Sequence, residues 1–172
     1  MGYRQQRKGK SRILAWLMIG IMAIGGVNIP AKNVEAASVT AVKPTGGDGS
    51  SANPYQITSE ANLIWLKNEV RDNNSNHANV ILMNDITITS SSWTRIGNNA
   101  ENKKYNDTFD GQGHTIFNLA YKIDSSIKVS ESIYGGLFGS ISAGAVVKNV
   151  TIEEANFTGG YAATAVVAYN YG

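Results

Sequence analysis

Asp107 and Asp110 stand three residues apart beside Gly111, the best-spaced acidic pair in a chain of 172 residues. Two carboxylates next to a glycine turn suggest a calcium loop, but such a loop alternates oxygen ligands and closes on a glutamate. Phe109 interrupts the pair and no closing glutamate follows, so the sequence assigns Asp110 to an Asx-turn over Gly111. His77 lies in an Asn-rich stretch and His114 directly follows Gly111-Gln112-Gly113, and neither has a serine or second histidine at a spacing that suits general-base work. Gly46-Gly47-Asp48-Gly49 has the glycine density of a phosphate loop, yet no Lys-Ser or Lys-Thr follows it and no strand precedes it, so it reads as a turn. The lack of cysteine excludes thiol chemistry, cysteine-held metals and disulfide staples. Asp85, Glu101, Asp107, Asp110, Asp124, Glu131, Glu153 and Glu154 are scattered rather than clustered. No catalytic residue, cofactor or metal site is assigned.

The elements that must hold these turns repeat. Asp85-Ile86-Thr87-Ile88 and Asn149-Val150-Thr151-Ile152 share a small polar residue, a branched apolar one, threonine and isoleucine, with Asn118-Leu119 as a looser middle copy. Their first residues lie 33 and 31 apart, and a near-constant period in this range marks a stacked array. Phe109 to Leu119, Gly135 to Ile141 and Gly144 to Ile152 each run from a glycine-rich turn into a short apolar strand. Similar strands return after about 30 residues, a distance between stacked coils rather than across a hairpin, so parallel stacking is expected. Asn118 and Asn149 are then expected to stack as an asparagine ladder at a bend.

Ahead of the repeats, Leu63, Leu66 and Val70 fall at helical spacing after Ser59, a good capping residue, and place Glu60, Lys67, Glu69 and Arg71 on or near the flanks. A short amphipathic helix before a stacked array is expected to cap its first apolar end, with Trp65 folded onto a neighbouring loop. The resulting division is a flexible lead-in at 37–54, an N-terminal cap at 55–78 with a helix over about 59–71, and β coils at 79–172. Residues 97–107, rich in asparagine and lysine, are expected as a loop excursion.

Gly136-Leu137-Phe138-Gly139, together with Trp93-Thr94-Arg95-Ile96-Gly97, Phe109 to Leu119, Asn149-Val150-Thr151-Ile152 and Asn156-Phe157-Thr158-Gly159-Gly160, resembles the GLUG-repeat proteins of bacterial surfaces over roughly residues 45 to 172. That resemblance implies an all-β, right-handed parallel β-helix of the pectin-lyase-like kind. A second copy of the motif is expected at Ala165-Val166-Val167-Ala168, 29 residues on, with alanine at both glycine positions. GLUG repeats also occur in large secreted proteins such as immunoglobulin A peptidases, whose zinc site lies in a separate region. No His-Glu-x-x-His stands in this chain.

Residues 1–36 read as a secretory signal peptide: Arg4, Arg7, Lys8, Lys10 and Arg12 precede an apolar run from Ile13 to Val27, and Val34-Glu35-Ala36 places cleavage between Ala36 and Ala37. Six of the 15 Lys and Arg, against one acid, lie in that segment, which leaves nine bases and 12 acids in the mature chain. Net charge there is −3, with no basic run, so nucleic acid is excluded as a partner, and no membrane association is expected after cleavage. The chain ends at Tyr169-Asn170-Tyr171-Gly172 in what reads as mid-coil, so a piece of a longer protein is expected. The functional expectation is a non-catalytic secreted or cell-surface segment presenting a binding or adhesive surface to host or cell-wall glycans or surface proteins, with self-association through a free strand edge. The alternatives are the N-terminal part of a polysaccharide-active β-helix lyase or hydrolase, or of a GLUG-containing peptidase whose active site lies elsewhere.

Overall fold

The computed structural model describes residues 38–71, 78–90, 93–98, 103–122, 134–158 and 162–172, all within the unit Glu35–Gly172. The signal sequence and its junction at Ala36 and Ala37 lie outside the described residues, as does His77. What is described is mainly β structure in parallel sheets with one short helix.

The strands are short, rich in β-branched and aromatic residues, and pair only in parallel among the described residues. The largest sheet joins β1 (Tyr55–Ile57), β2 (Val80–Leu82), β4 (Thr108–Asp110) and β9 (Val146–Lys148) in that spatial order. A second joins β3 (Ile86–Thr87), β5 (Thr115–Phe117) and β10 (Thr151–Glu153). Three two-stranded sheets pair β6 (Ala120–Lys122) with β11 (Asn156–Thr158), β7 (Tyr134–Gly135) with β12 (Ala162–Ala163), and β8 (Phe138–Ile141) with β13 (Val167–Asn170). Parallel neighbours cannot be joined by a tight turn, and each strand here meets a partner well over 20 residues away. The registers sort the strands into tiers: β1, then β2 and β3, then β4 to β8, then β9 to β13.

The helix, α1 (Glu60–Arg71), leaves β1 after Ser59. Ser59 caps it, its hydroxyl and carbonyl both accepting from the Asn62 N–H at 3.3 and 3.1 Å. Leu63, Leu66 and Val70 are fully buried against the first tiers, the face their spacing requires. Glu60 departs from the expected flank position: it is buried, and its carboxylate accepts from the N–H and hydroxyl of both Thr89 and Ser90 at 2.6 to 2.9 Å. The first turn of α1 points at the end of the β3 segment, so an acid there fastens the helix to the second tier instead of facing water.

Residues 38–53 do not run free as a flexible lead-in. The Val42 N–H donates to Ala61 O, Gln56 N–H to Gly46 O and Asn79 N–H to Gly49 O, each within 3.0 Å. Asp48 closes the intervening turn, accepting from Ser50 N–H and Asn53 Nδ2, while Gly47 and Gly49 take φ of +79° and +83°. Small residues here allow a tight turn to dock on β1, which composition alone reads as looseness.

Inward side chains of successive tiers meet in one core. Phe109 packs edge-on against Phe138 at 5.3 Å, and the Tyr105 ring lies 5.1 Å from that of Phe138. The buried Tyr105 hydroxyl donates to Ala78 O at 2.8 Å, and burial pushes its pKa well up. The excursion after Gly97 is pinched at its neck by an Asn98 N–H to Lys103 O bond of 2.8 Å, and Tyr105 rejoins the ladder opposite Ile141.

Candidate functional site

Asp110 ends β4 and starts the corner that leads to β5. Its Oδ1 accepts from the Gln112 N–H at 2.9 Å, which is the Asx-turn geometry, and from Asn149 Nδ2 at 3.0 Å. Its Oδ2 meets the Lys148 ammonium of the next tier at 3.2 Å. Burial would raise this carboxyl, but the bonds from Gln112, Asn149 and Lys148 outweigh it and hold the pKa low. Gly111 is required by contact: a Cβ there would stand 2.3 Å from Asn149 O. Gly113 is required by conformation, with φ +84° and open space around it. The structure thus joins Asp110, Gly111 and Gly113 in one corner with Lys148 and Asn149, an ion pair and hydrogen bonds clasping two tiers.

A second clasp lies between the tiers below. Asp85 Oδ1 accepts from the Thr115 N–H at 2.9 Å and lies 3.2 Å from His114 Nδ1, and these bonds lower its pKa. Among the described residues no three His, Asp or Glu side chains converge as metal ligands would. Glu153 and Glu154 are exposed at the end of β10, where Glu154 takes φ +54°.

The asparagine ladder does not form. Phe117 pairs with Glu153, so Asn118 falls opposite Glu154, while Asn149 lies over the Gly111 to Gly113 turn. Both asparagines do adopt left-handed backbone, with φ of +60° and +53°. Each is satisfied separately, Asn118 Nδ2 donating to Ile88 O at 3.0 Å and Asn149 to Asp110. The true register is Ile86 with Ile116 with Ile152, because the corner of the third tier is longer than that of the fourth. Matching letters at 85, 118 and 149 slides the second and third tiers past one another by three residues and the third and fourth by five.

The motif residues Gly136-Leu137-Phe138-Gly139 occupy a different wall. Ile96 bridges Phe138 and Val167 pairs with Phe138, so Thr94-Arg95-Ile96-Gly97 and Ala165-Val166-Val167-Ala168 flank the motif as tiers of one column. The expected second copy therefore stacks at a register of 29 residues, and Ala165 is exposed on the outer tier, where a Cβ is accommodated. Gly139 has no such freedom: a Cβ would lie 2.3 Å from Arg95 Cδ and 2.6 Å from Gly97 O. Leu137 and Phe138 are fully buried, and the Trp93 indole N–H donates to Gly136 O at 3.3 Å. That 93–97 underlies 136–139 is hidden in the sequence by the excursion after Gly97. The shared Ile/Phe-Gly ending is the one signal that points to it.

The fold class these tiers define, among the described residues, is all-β, with parallel sheets and one helix. No family model and no solved structure matches the chain. The chain is similar to Halomucin of Haloquadratum walsbyi, with 31% identity over 121 residues that take in 66% of this chain and 1% of that protein's length. Among the described residues, no helix is long and apolar enough to cross a membrane.

Proposed function

We propose that the chain is a segment of a right-handed parallel β-helix of the GLUG-repeat type, exported by its first 36 residues, that presents a binding surface outside the cell and performs no catalysis. The observation that carries this reading is the column in which 94–97, 136–139 and 165–168 lie tier upon tier through Ile96, Phe138 and Val167. Stacking by register is the behaviour of a repeat array. The similarity to Halomucin supports a secreted or cell-surface setting, and α1 serves as the cap of the first tier. Asp85 and Asp110 serve the clasps, where their carboxylates bond to groups of the next tier. The outer tier, β9 to β13, whose outer edge has no partner strand among the described residues, offers that edge for self-association or for a further tier.

The test has two arms. N-terminal sequencing of the exported product should start at Ala37, and an intact Met1 or Gly2 refutes export by cleavage. Incubation of the purified chain with acidic and neutral polysaccharides, with and without calcium, should release no new reducing or unsaturated ends. Reproducible release of such ends by the purified chain would establish the polysaccharide-active alternative instead.

A further inference from the structure

Asn156-Phe157-Thr158 is an Asn-x-Ser/Thr triplet, the acceptor sequence for N-linked sugars in exported proteins. Further triplets begin at Asn73, Asn106 and Asn149, and that at Asn73 lies outside the described residues. Letters alone do not rank the remaining three; the fold does. Asn149 is already engaged: its Nδ2, the atom that would carry the sugar, donates to Asp110 Oδ1 at 3.0 Å inside the corner that clasps two tiers. Asn106 leads into β4, which has β2 on one edge and β9 on the other. Its Oδ1 is buried with no hydrogen-bond partner among the described residues, and an amide shut in at its oxygen has little room for a sugar on its nitrogen.

Asn156 differs from both. In β11 the Phe157 ring packs against the core, and Asn156 and Thr158 are exposed on the other face of the strand. The two-residue period of a strand sets their side chains next to each other, acceptor amide beside the hydroxyl of the triplet. Neither side chain has a hydrogen-bond partner among the described residues. The register partner of Asn156 in the third tier is Ala120, a methyl that leaves space beside the acceptor. Among the described residues β11 pairs along one edge only, so the triplet lies where the chain is held by the fewest bonds. Strand side chains stand perpendicular to their sheet, so a sugar on Asn156 projects from the wall and leaves the open edge of the outer tier clear.

We propose that Asn156 is a glycosylation site, the acceptor of a sugar chain that a membrane-bound transferase takes from a lipid-linked glycosyl phosphate, with Thr158 supplying the hydroxyl of the recognised triplet. In that transfer the Asn156 Nδ2 forms a bond to the anomeric carbon of the sugar. The bond from that carbon to the phosphate oxygen breaks, the lipid phosphate departs with the electron pair, and Nδ2 gives up one proton. The proposal rests on the export reading, because acceptor and donor meet on the outer side of the membrane.

The test is mass spectrometry of the full chain recovered from the cells that make it and from their medium. Cleavage after Glu154 separates Asn149 from Asn156, and fragmentation that keeps the N-glycosidic bond places the sugar on one residue. The peptide that begins at Ala155 should carry sugar mass on Asn156, with Asn106 and Asn149 bare. Asn156→Gln and Thr158→Ala should each abolish the added mass, while Thr158→Ser should retain it. Both positions are exposed, and a circular dichroism spectrum matching the parent's shows that each variant is folded. An exported product that starts at Ala37 with Asn156 bare overturns the site and leaves export standing. Recovery of the chain only inside the cells, with Met1 intact and Asn156 bare, overturns both. Sugar on Asn106 or Asn149 with Asn156 bare, or sugar retained in Thr158→Ala, also overturns the proposal.

Discussion

Both carboxylate oxygens of Glu60 are used, each by one backbone N–H and one hydroxyl from Thr89 and Ser90. Burial alone would raise this carboxyl, but the bonds from Ser90 and Thr89 outweigh it, so the folded pKa lies below the usual 4.5. A lowered folded pKa means that the stabilisation is complete above the unfolded value and is lost as pH falls through the folded one. Glu60→Gln should therefore cost about 1–3 kcal/mol at pH 7, since bonds to a charged acceptor are lost. The gap in urea midpoint between parent and variant should narrow as pH drops below about 4.5; a gap that stays constant down to about pH 3 would contradict the assignment. Glycine contacts give a second comparison at this scale. Gly139→Ala must displace Arg95 or the Gly97 backbone and should cost about 1–3 kcal/mol or more, whereas Gly113→Ala meets open space and pays only for its left-handed φ, about 1 kcal/mol. Thermal denaturation of the two variants should rank them in that order.

Helix α1 is tied to the tiers by three kinds of contact: the Ser59 cap, the Glu60 clasp and the buried face of Leu63, Leu66 and Val70. The apolar face dominates in magnitude. Leu66→Ala should cost about 2–5 kcal/mol, as a fully buried leucine truncated in a close-packed site, against about 1 kcal/mol for Ser59→Ala. If α1 is a cap, Leu66→Ala should also raise binding of an apolar dye, because it loosens the cover over the first tiers. A stable Leu66→Ala variant with unchanged dye binding would show that the helix is an appendage. The corners behave differently, since Asn118, Asn149 and Glu154 all take φ near +55° without glycine. Asparagine meets this cost through its own amide, as Asn118 does at Ile88 O.

Across the whole molecule, burial falls from the third tier to the fourth. Phe109, Ile116 and Phe138 are fully buried, while their register partners Val147, Ile152 and Val167 are only partly covered. Local opening follows such a gradient in buried contacts. Hydrogen exchange should therefore show β4, β5 and β8 as the slowest segments and β9 to β13 as the fastest strands, with association of two chains at high concentration slowing the latter selectively. Uniform protection of both tiers would argue against an open edge.

The glycine-rich turns that run into short apolar strands, the helical spacing of Leu63, Leu66 and Val70, the Asx-turn at Asp110 and the offset of 29 between 136–139 and 165–168 were all legible in the sequence. Each depends on neighbours a few residues apart or on an uninterrupted repeat. What the sequence could not determine was which tier lies against which when a corner or loop changes length. Letters at 85, 118 and 149 look alike, yet inward packing of Ile86, Ile116 and Ile152 decides the register, because a slip would move other side chains over the core. In the same way Glu60 reads as a solvated helix residue and Lys43 as part of a loose leader. Only the tertiary structure brings Thr89 and Ser90 to the one and Tyr55 and Trp65 to the other, since those partners meet through stacking of segments distant in the chain.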